Sequence, residues 1–234
     1  MGANLYPQRC DLSPDGRWFC YFTSKGSAKW RAGRTYVAIS RLPWLTALAA
    51  WRTCGTWTRG LHFVEDKRAW ELGSPDEGDV GPCRKKFGVA VTRPAAFAVE
   101  RRRGWTETAD SPQRSPGDVW DESRAEKVKM ERARPRSDGG ARLIVQGYFA
   151  AFRSTLPGWP KEIRYEMHED GRVLHLEDAQ WADWNADGRL LVATVDGRLQ
   201  VRDYARDGFS VLSEVDLSAL TPSPAPPPKE AYRW

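Results

Sequence analysis

The stretch Gln180–Tyr204, QWADWNADGRLLVATVDGRLQVRDY, constrains the fold of this 234-residue chain more than any other. It contains three apolar segments separated by two tight turns, Asn-Ala-Asp-Gly and Asp-Gly. Such turns between apolar segments are strong hairpin signals, because glycine supplies positive φ and the short polar side chain caps its own turn. The stretch therefore predicts a three-stranded antiparallel meander.

The acidic turn of this meander recurs along the chain. Its aspartate stands at Asp15, Asp66, Asp138 and Asp187, in the segments LSPDGRWFCYF, FVEDKRAWEL, RSDGGARLIVQ and WNADGRLLVAT. An apolar strand follows each turn, and four strands can be placed around each one. Four-stranded units that repeat every 40–50 residues or so are typical of β-propeller blades.

Four blades are expected, at residues 8–53, 54–103, 128–177 and 180–218, each an antiparallel meander of strands A to D. In the second blade, strands C and D are predicted at Phe87–Thr92 and Ala96–Arg101. In the third blade, strand A is predicted at Val128–Arg134. A short helix over Asp121–Arg134, with i,i+4 charge pairs, is the alternative for that last segment.

Two of the repeats carry a family resemblance. SPDGRW (Ser13–Trp18) and NADGRLLVATVDGRLQVRDY (Asn185–Tyr204) resemble WD40-type and TolB-type β-propeller repeats. SPDGR is similar to their usual turn between strands A and B, and VRDY stands where WD40 repeats carry Trp-Asp. The Gly-His dipeptide of WD40 repeats is absent. The resemblance implies an all-β fold, a small propeller of about four four-stranded antiparallel blades, with another all-β fold as the alternative.

The ring of such a propeller is expected to close by packing of the first and fourth blades, to stay open, or to be completed by a partner or a second copy. A blade cannot bury both of its faces alone, so an open ring leaves apolar surface for a partner. Residues 1–220 are expected to form this single domain. The Pro-rich segment 221–234 is expected to be a tail that is either mobile or anchored by its last residues, AYRW.

Long connections are predicted on one face of the ring, at the B–C and D–A positions, and include a charged loop insertion at 102–127. Insertions on one face usually mark a binding face. The favoured interpretation is a non-catalytic interaction, scaffold or regulatory subunit that binds a protein partner there. The charged segment 102–136 would be a contact or a proteolytic or regulatory site. The predicted partner-binding residues are Trp30, Arg31, Trp105, Trp120, Trp159, Arg101, Arg102 and Arg103.

The net charge of +5 is unevenly distributed: Arg84–Arg136 holds 14 basic and 8 acidic residues, whereas Trp159–Trp234 holds 9 and 14. This asymmetry favours electrostatic docking to a partner or to another copy. A nucleic-acid-binding accessory protein is the alternative, because basic runs beside aromatic residues suit phosphate contact and stacking. Its candidate residues are Arg84, Lys85, Lys86 and Arg101–Arg103.

No signature of catalysis stands out. The chain contains no GxSxG, HExxH or GxxxxGK[ST] motif, so a propeller hydrolase is the weakest interpretation. No metal or cofactor is predicted, because the four cysteines form no CxxC and His168 and His175 have no evident third ligand. No apolar run approaches the roughly 20 residues that span a bilayer, and no secretory signal is seen. A cytoplasmic protein with free thiols is expected.

Overall fold

The computed structural model describes residues 4–5, 9–24, 35–53, 60–65, 68–72, 90–92, 97–111, 126–136, 140–149, 160–205, 208–221 and 226–233. Over this part of the chain the fold is all-β, with one short α-helix and a C-terminal 3₁₀ helix. The strands assemble into four separate sheets, and nearly all strand pairs are antiparallel.

The strands follow the predicted units closely. Their bounds are β1 Asn4–Leu5, β2 Asp11–Leu12, β3 Trp18–Ser24, β4 Thr35–Arg41, β5 Ala47–Arg52, β6 Gly60–Glu65, β7 Arg68–Leu72, β8 Ala90–Thr92, β9 Thr106–Glu107, β10 Glu126–Ala133, β11 Arg142–Phe149, β12 Pro160–Glu169, β13 Arg172–His175, β14 Ala179–Trp184, β15 Leu190–Thr194, β16 Arg198–Ala205 and β17 Gly208–Asp216. The helix α1 spans Ala98–Arg102, and the 3₁₀ helix spans Lys229–Tyr232.

The chain divides into two compact units. The first comprises Met1–Arg102, Phe152–Trp159 and Pro224–Trp234, and the second comprises Arg103–Ala151 and Pro160–Ser223. The first unit holds the sheet of β1 to β5 and the sheet of β6 to β8. The second unit holds the sheet of β9 to β13, called sheet 3 below, and the sheet of β14 to β17, called sheet 4.

An aromatic core joins the two sheets of the first unit. Trp18, Phe22 and Ile39 of the first sheet are buried together with Leu61 and Phe63 of β6. A buried carboxylate adds a polar link: Asp11 of β2 accepts the backbone N–H of Phe63 at 3.0 Å. Trp18 is thus a core residue at the contact between these two sheets.

The C-terminal 3₁₀ helix belongs to the first unit. It lies against β4 and β5, and the side chain of Ala231 is fully buried. The neighbouring Tyr232 is 59% exposed. Of the two alternatives for the tail, the described part is therefore anchored, and the anchoring residue is the small alanine rather than an aromatic one.

The second predicted blade departs from a meander in two ways. Ala98–Arg102 is the helix α1, so the prediction of strand D at Ala96–Arg101 is wrong. Ala, Glu and Arg are good helix formers, and Glu100 in the first turn with Arg101 and Arg102 in the last suits the helix dipole. The strand β8 pairs in parallel with β7, because the long connection 73–89 allows a crossover where a tight hairpin would force an antiparallel pair.

Sheets 3 and 4 match the third and fourth predicted blades. In sheet 4 the order is β14-β15-β16-β17, an antiparallel meander. Its first three strands correspond to the meander predicted at Gln180–Tyr204, and β17 is the fourth. In sheet 3 the order is β13-β12-β11-β10-β9. The strand β10 confirms strand A at Val128–Arg134 and excludes the alternative helix there. The two-residue strand β9 was not predicted.

The tight turns owe their shape to glycine and a capping side chain. Gly16 and Gly188 have φ of +67° and +77°, as the turn chemistry predicts. In the first turn Asp15 Oδ1 accepts the Arg17 N–H at 3.0 Å. In the fourth turn the cap is instead Asn185, whose Oδ1 accepts two backbone N–H groups at 2.9 Å. Asp187 does not cap this turn and instead pairs with Arg136, which follows β10.

Candidate partner-binding site

Half of the eight residues predicted to bind a partner lie outside the described part of the chain. This applies to Trp30, Arg31, Trp120 and Trp159, and also to the alternative nucleic-acid residues Arg84, Lys85 and Lys86. Their roles stay predictions. The residues that the structure does describe are Arg101, Arg102, Arg103 and Trp105.

These four residues differ in accessibility. Arg101 and Arg103 are exposed, whereas Arg102 is half-buried and directs Nη1 to the carbonyl oxygen of Phe63 at 3.5 Å. Burial lowers the pKa of the Arg102 guanidinium, and the charge of Asp11 opposes that shift. Trp105 is 4% exposed, so the expectation of an exposed loop indole is not met there. The basic run thus presents two of its three guanidinium groups to solvent.

The later part of the predicted charged segment is an ordered strand. Arg132 lies in β10, and Arg134 and Arg136 follow the strand, with Arg136 in a turn at φ of +57°. All three bind acidic residues of sheet 4: Arg132 pairs with Asp183, Arg134 with Asp203 at 3.2 Å, and Arg136 with Asp187 at 2.6 Å. These arginines join sheets 3 and 4 within the second unit. The role of segment 102–136 as a contact or a proteolytic or regulatory site stays a prediction.

Arg134 makes the most extensive of these contacts. Its Nε donates to the carbonyl oxygen of Gly188 at 2.8 Å, and its Nη1 donates to that of Tyr204 at 3.1 Å. The guanidinium carbon lies 5.6 Å from the ring centre of Trp184 and 5.9 Å from that of Tyr204. Trp184 is buried, as expected for a tryptophan between blades. Arginine suits this site because its planar group can stack on rings while it donates to several acceptors.

Tyr204 connects the same two sheets from sheet 4. Its hydroxyl donates to Glu169 Oε2 of β12 at 2.9 Å. Burial raises the pKa of Tyr204 to about 12, and the hydrogen bond to Glu169 and the charge of that carboxylate act in the same direction. The neutral phenol is therefore strongly preferred in the folded chain.

This preference predicts a loss of stability in alkali. The folded chain holds the Tyr204 proton more tightly than the unfolded chain does, so the contribution is complete below the ordinary pKa of 10 and is lost as the pH rises through about 12. Urea unfolding at about pH 9 and about pH 12 is expected to show a smaller drop in stability for Tyr204→Phe than for the wild type. An equal drop in the two proteins would contradict this role of Tyr204.

The histidines of sheet 3 meet one carboxylate. His168 Nε2 lies 2.9 Å from Glu166 Oε2, and His175 Nδ1 lies 3.3 Å from Glu166 Oε1. The cross-strand approach of the two histidines that the sequence suggested is thus mediated by Glu166. Among the described residues no group of three or more His, Cys, Asp or Glu side chains is arranged to hold a metal ion.

An open cavity of about 260 Å³ lies beside these histidines at the end of sheet 3. Its lining includes Glu131 and Glu169, and both carboxylates have partners: Glu131 pairs with Arg142 at 3.1 Å, and Glu169 accepts the Tyr204 hydroxyl. Burial also raises the pKa of the Cys10 thiol to about 12 and that of Cys20 well above its ordinary value, which disfavours the nucleophilic thiolate at both. These groups offer no activated nucleophile and no separated acid–base pair.

Sheet 4 has two faces of different character. Its inner face carries Trp184, Leu190 and Val192, which are at most 3% exposed. Towards the edge strand this face becomes polar, where Arg198 pairs with Glu214 at 3.0 Å and Gln200 also binds Glu214. A sheet with one face covered in this way needs no apolar residues on its other face.

The other face of sheet 4 is nevertheless apolar across all four strands. Cross-strand partners in an antiparallel sheet project to the same side, so the register defines the face. One row runs Trp181–Ala193–Leu199–Val215 and is apolar on all four strands, whereas the next, Asp183–Leu191–Val201–Ser213, is apolar on the two central strands only. We call the six apolar residues of these two rows the outer apolar face. Leu199 is 48% exposed, Val215 is 57% exposed, and the other four are half-buried.

Exposed aliphatic residues are concentrated around this face. Of the eleven large hydrophobic residues that are exposed in the described part of the chain, seven fall between Val195 and Leu220. They are Val195, Leu199, Val211, Leu212, Val215, Leu217 and Leu220. Val211 projects from the opposite side of sheet 4, but Leu199 and Val215 are neighbours on the outer apolar face. Adjoining exposed aliphatic residues mark a binding surface more than scattered ones do. The sequence analysis missed this surface, because it looked for binding residues in the loops.

Comparisons with known proteins leave the family of the chain open. No protein-family model matches it, and no curated protein sequence is similar enough to match. Within the described ranges, none of the helices has the length and apolar character needed to cross a lipid bilayer.

Proposed function

We propose that this chain is a non-catalytic protein-interaction subunit built on WD40-like propeller repeats, which binds a protein partner through the outer apolar face of sheet 4. A single observation carries the proposal: an apolar row, with Leu199 and Val215 about half exposed, extends from the inner strand to the edge strand of sheet 4. Covering such a face with a partner removes apolar surface from water.

The surroundings of the face support protein rather than nucleic acid as the ligand. By strand alternation Asp183 and Asp203 fall on the same side of sheet 4, and they are bound by Arg132 of β10 and by Arg134, which follows β10. A nucleic-acid surface needs unpaired cationic groups, and the arginines nearest this face are already paired with aspartates. The roles of a loop-rich face, of a nucleic-acid-binding surface and of a cytoplasmic location stay predictions from the sequence.

Leu199 and Val173 offer a matched pair for testing the proposal. They are 48% and 45% exposed, on sheets 4 and 3 respectively, so a lysine at either position costs the fold little. We expect Leu199→Lys to weaken binding of the partner at least about tenfold in affinity purification from the source cells, because it places an unpaired charge in an apolar contact. Val173→Lys is expected to retain the partner.

Quantitative mass spectrometry of the proteins that co-purify measures the effect, and circular dichroism of both variants checks the fold. Retention of the same partner by Leu199→Lys at wild-type levels would contradict the proposal. Equal losses of partner binding by Leu199→Lys and Val173→Lys would also contradict it, because that result would place the contact on both sheets or on neither.

A further inference from the structure

From the geometry of sheet 4 we infer that the occupant of the outer apolar face is a second copy of this chain, packed face to face about a two-fold axis. This inference rests on the proposed function, because it names the partner of the same face. An isologous contact needs a surface that is complementary to itself. The face formed by Trp181, Leu191, Ala193, Leu199, Val201 and Val215 meets the first requirement, since it carries no unpaired charge to oppose its own image. The charged residue in its rows, Asp183, is paired with Arg132.

Charge distinguishes this face from the rest of the surface. Trp159–Trp234, which contains sheet 4, holds 9 basic and 14 acidic residues, so two copies of this region repel each other wherever unpaired carboxylates meet. On this face the charged residues, Asp183 and Asp203, lie at one end and are neutralised by Arg132 and Arg134. Two copies can therefore bring these faces together without placing unpaired like charges side by side.

The size of the face sets the strength of the contact. The whole outer side of sheet 4, with the outer apolar face at its centre, consists of four strands about 4.8 Å apart and about six residues long, and it covers roughly 20 by 20 Å. With projecting side chains on both copies, a face-to-face contact buries on the order of 1,000 Å² in total, which is at the lower limit of specific interfaces. The area is sufficient for a weak, reversible dimer, and dissociation in the micromolar range is expected.

Face-to-face packing fits the edge strand better than edge-to-edge pairing does. In β17 the register shifts opposite Val201 and Arg202, which leaves Leu212 as an extra residue in the strand. A bulge of this kind bends an edge strand and interrupts the ladder that a second strand would need. Leu199 and Val215 pair outside the bulge, and both belong to the outer apolar face.

Val211 and Val215 of the same strand separate the two arrangements. They are 52% and 57% exposed, but their cross-strand partners, Arg202 and Leu199, place them on opposite faces of sheet 4. We expect the wild-type chain to show a concentration-dependent mass between monomer and dimer in analytical ultracentrifugation. Val215→Asp is expected to weaken the association at least about tenfold, whereas Val211→Asp is expected to leave it within about twofold of the wild type.

Both variants are expected to fold, because neither side chain is buried, and unchanged near-ultraviolet circular dichroism verifies this. A wild-type chain that stays monomeric up to about 1 mM would overturn the inference. Equal weakening by Val211→Asp and Val215→Asp would also overturn it, since that pattern belongs to edge pairing. If the chain is monomeric and Leu199→Lys still releases a different protein, the second copy is excluded while the proposed function stands.

Discussion

Arg134→Ala is expected to lower the free energy of unfolding by about 3 kcal/mol, because the substitution leaves acceptors between two sheets without their donor. The lost contacts are the hydrogen bonds to the carbonyl oxygens of Gly188 and Tyr204, the ion pair with Asp203 and the position over the Trp184 ring. A hydrogen bond to a charged group contributes about 1.5–3 kcal/mol, and a desolvated cation–π contact about 1–2 kcal/mol. These contributions overlap in one side chain and do not simply add.

Arg136 supplies the matched control for this prediction. It is also an arginine paired with an aspartate of sheet 4, but the side chains of Arg136 and Asp187 are 71% and 60% exposed, against 21% for Arg134. Arg136→Ala is therefore expected to cost at most about 0.5 kcal/mol. Arg134→Lys is expected to recover little, because an ammonium group cannot reproduce the fork of donors. Urea unfolding followed by tryptophan fluorescence measures all three, and similar losses for Arg134→Ala and Arg136→Ala would contradict the account.

Gly188→Ala is expected to be the second strongly destabilising substitution. Gly188 has φ of +77°, and a Cβ atom there would lie 2.6 Å from the backbone oxygen of Pro135 and 3.3 Å from Arg134 Nε. The backbone oxygen cannot move without shifting the segment after β10. The alanine would therefore strain its own turn and also displace the arginine that joins the sheets. A loss of about 3 kcal/mol or more is expected, at the upper end of single-residue effects.

Gly171 isolates the backbone component of that loss. Its φ is +76°, almost the same as that of Gly188, but no atom lies within 4 Å of the position of its Cβ. Gly171→Ala is therefore expected to cost only the left-handed conformation, about 1 kcal/mol. The difference between the two variants in urea unfolding measures the clash between sheets 3 and 4. Equal costs would show that the turn after β14 does not pack as closely on β10 as the distances indicate.

The repeats that contain an Asp-Gly turn were predictable from the sequence, and the second repeat was not. Where a tight turn joins two strands, as at Gly188, local chemistry determines the hairpin and its register. In the second repeat the long connection 73–89 permits either strand direction, and β8 runs parallel to β7. At Ala98–Arg102 the helix-forming residues outweighed the repeat pattern on which strand D had been predicted.

The proposed binding surface shows that alternation in a sequence predicts strands but not which side of a sheet is covered. In β15 both alternating sets of residues are apolar, whereas in β16 Leu199 and Val201 alternate with the polar Gln200 and Arg202. The strands could therefore be predicted, but not the side of sheet 4 that is covered. Val192 is buried and Leu199 is exposed because only one side of sheet 4 packs against sheet 3. The alternating arginines at the end of β10 and just after it did carry a signal for the packing of this segment. Arg132, Arg134 and Arg136 repeat every second residue, which is typical of one strand face rather than of a loop.

The most direct measurement of the central claim is hydrogen–deuterium exchange of the chain alone and in its native assembly. If the outer apolar face of sheet 4 is the contact, peptides that cover β16 and β17, residues 198–216, will gain protection in the assembly. Peptides that cover β10 and β11 will change little, because their exchange already reflects packing within the second unit. Protection confined to the segment that contains Arg101 and Trp105, with no change over 198–216, would contradict the claim and return the contact to the loop-rich face.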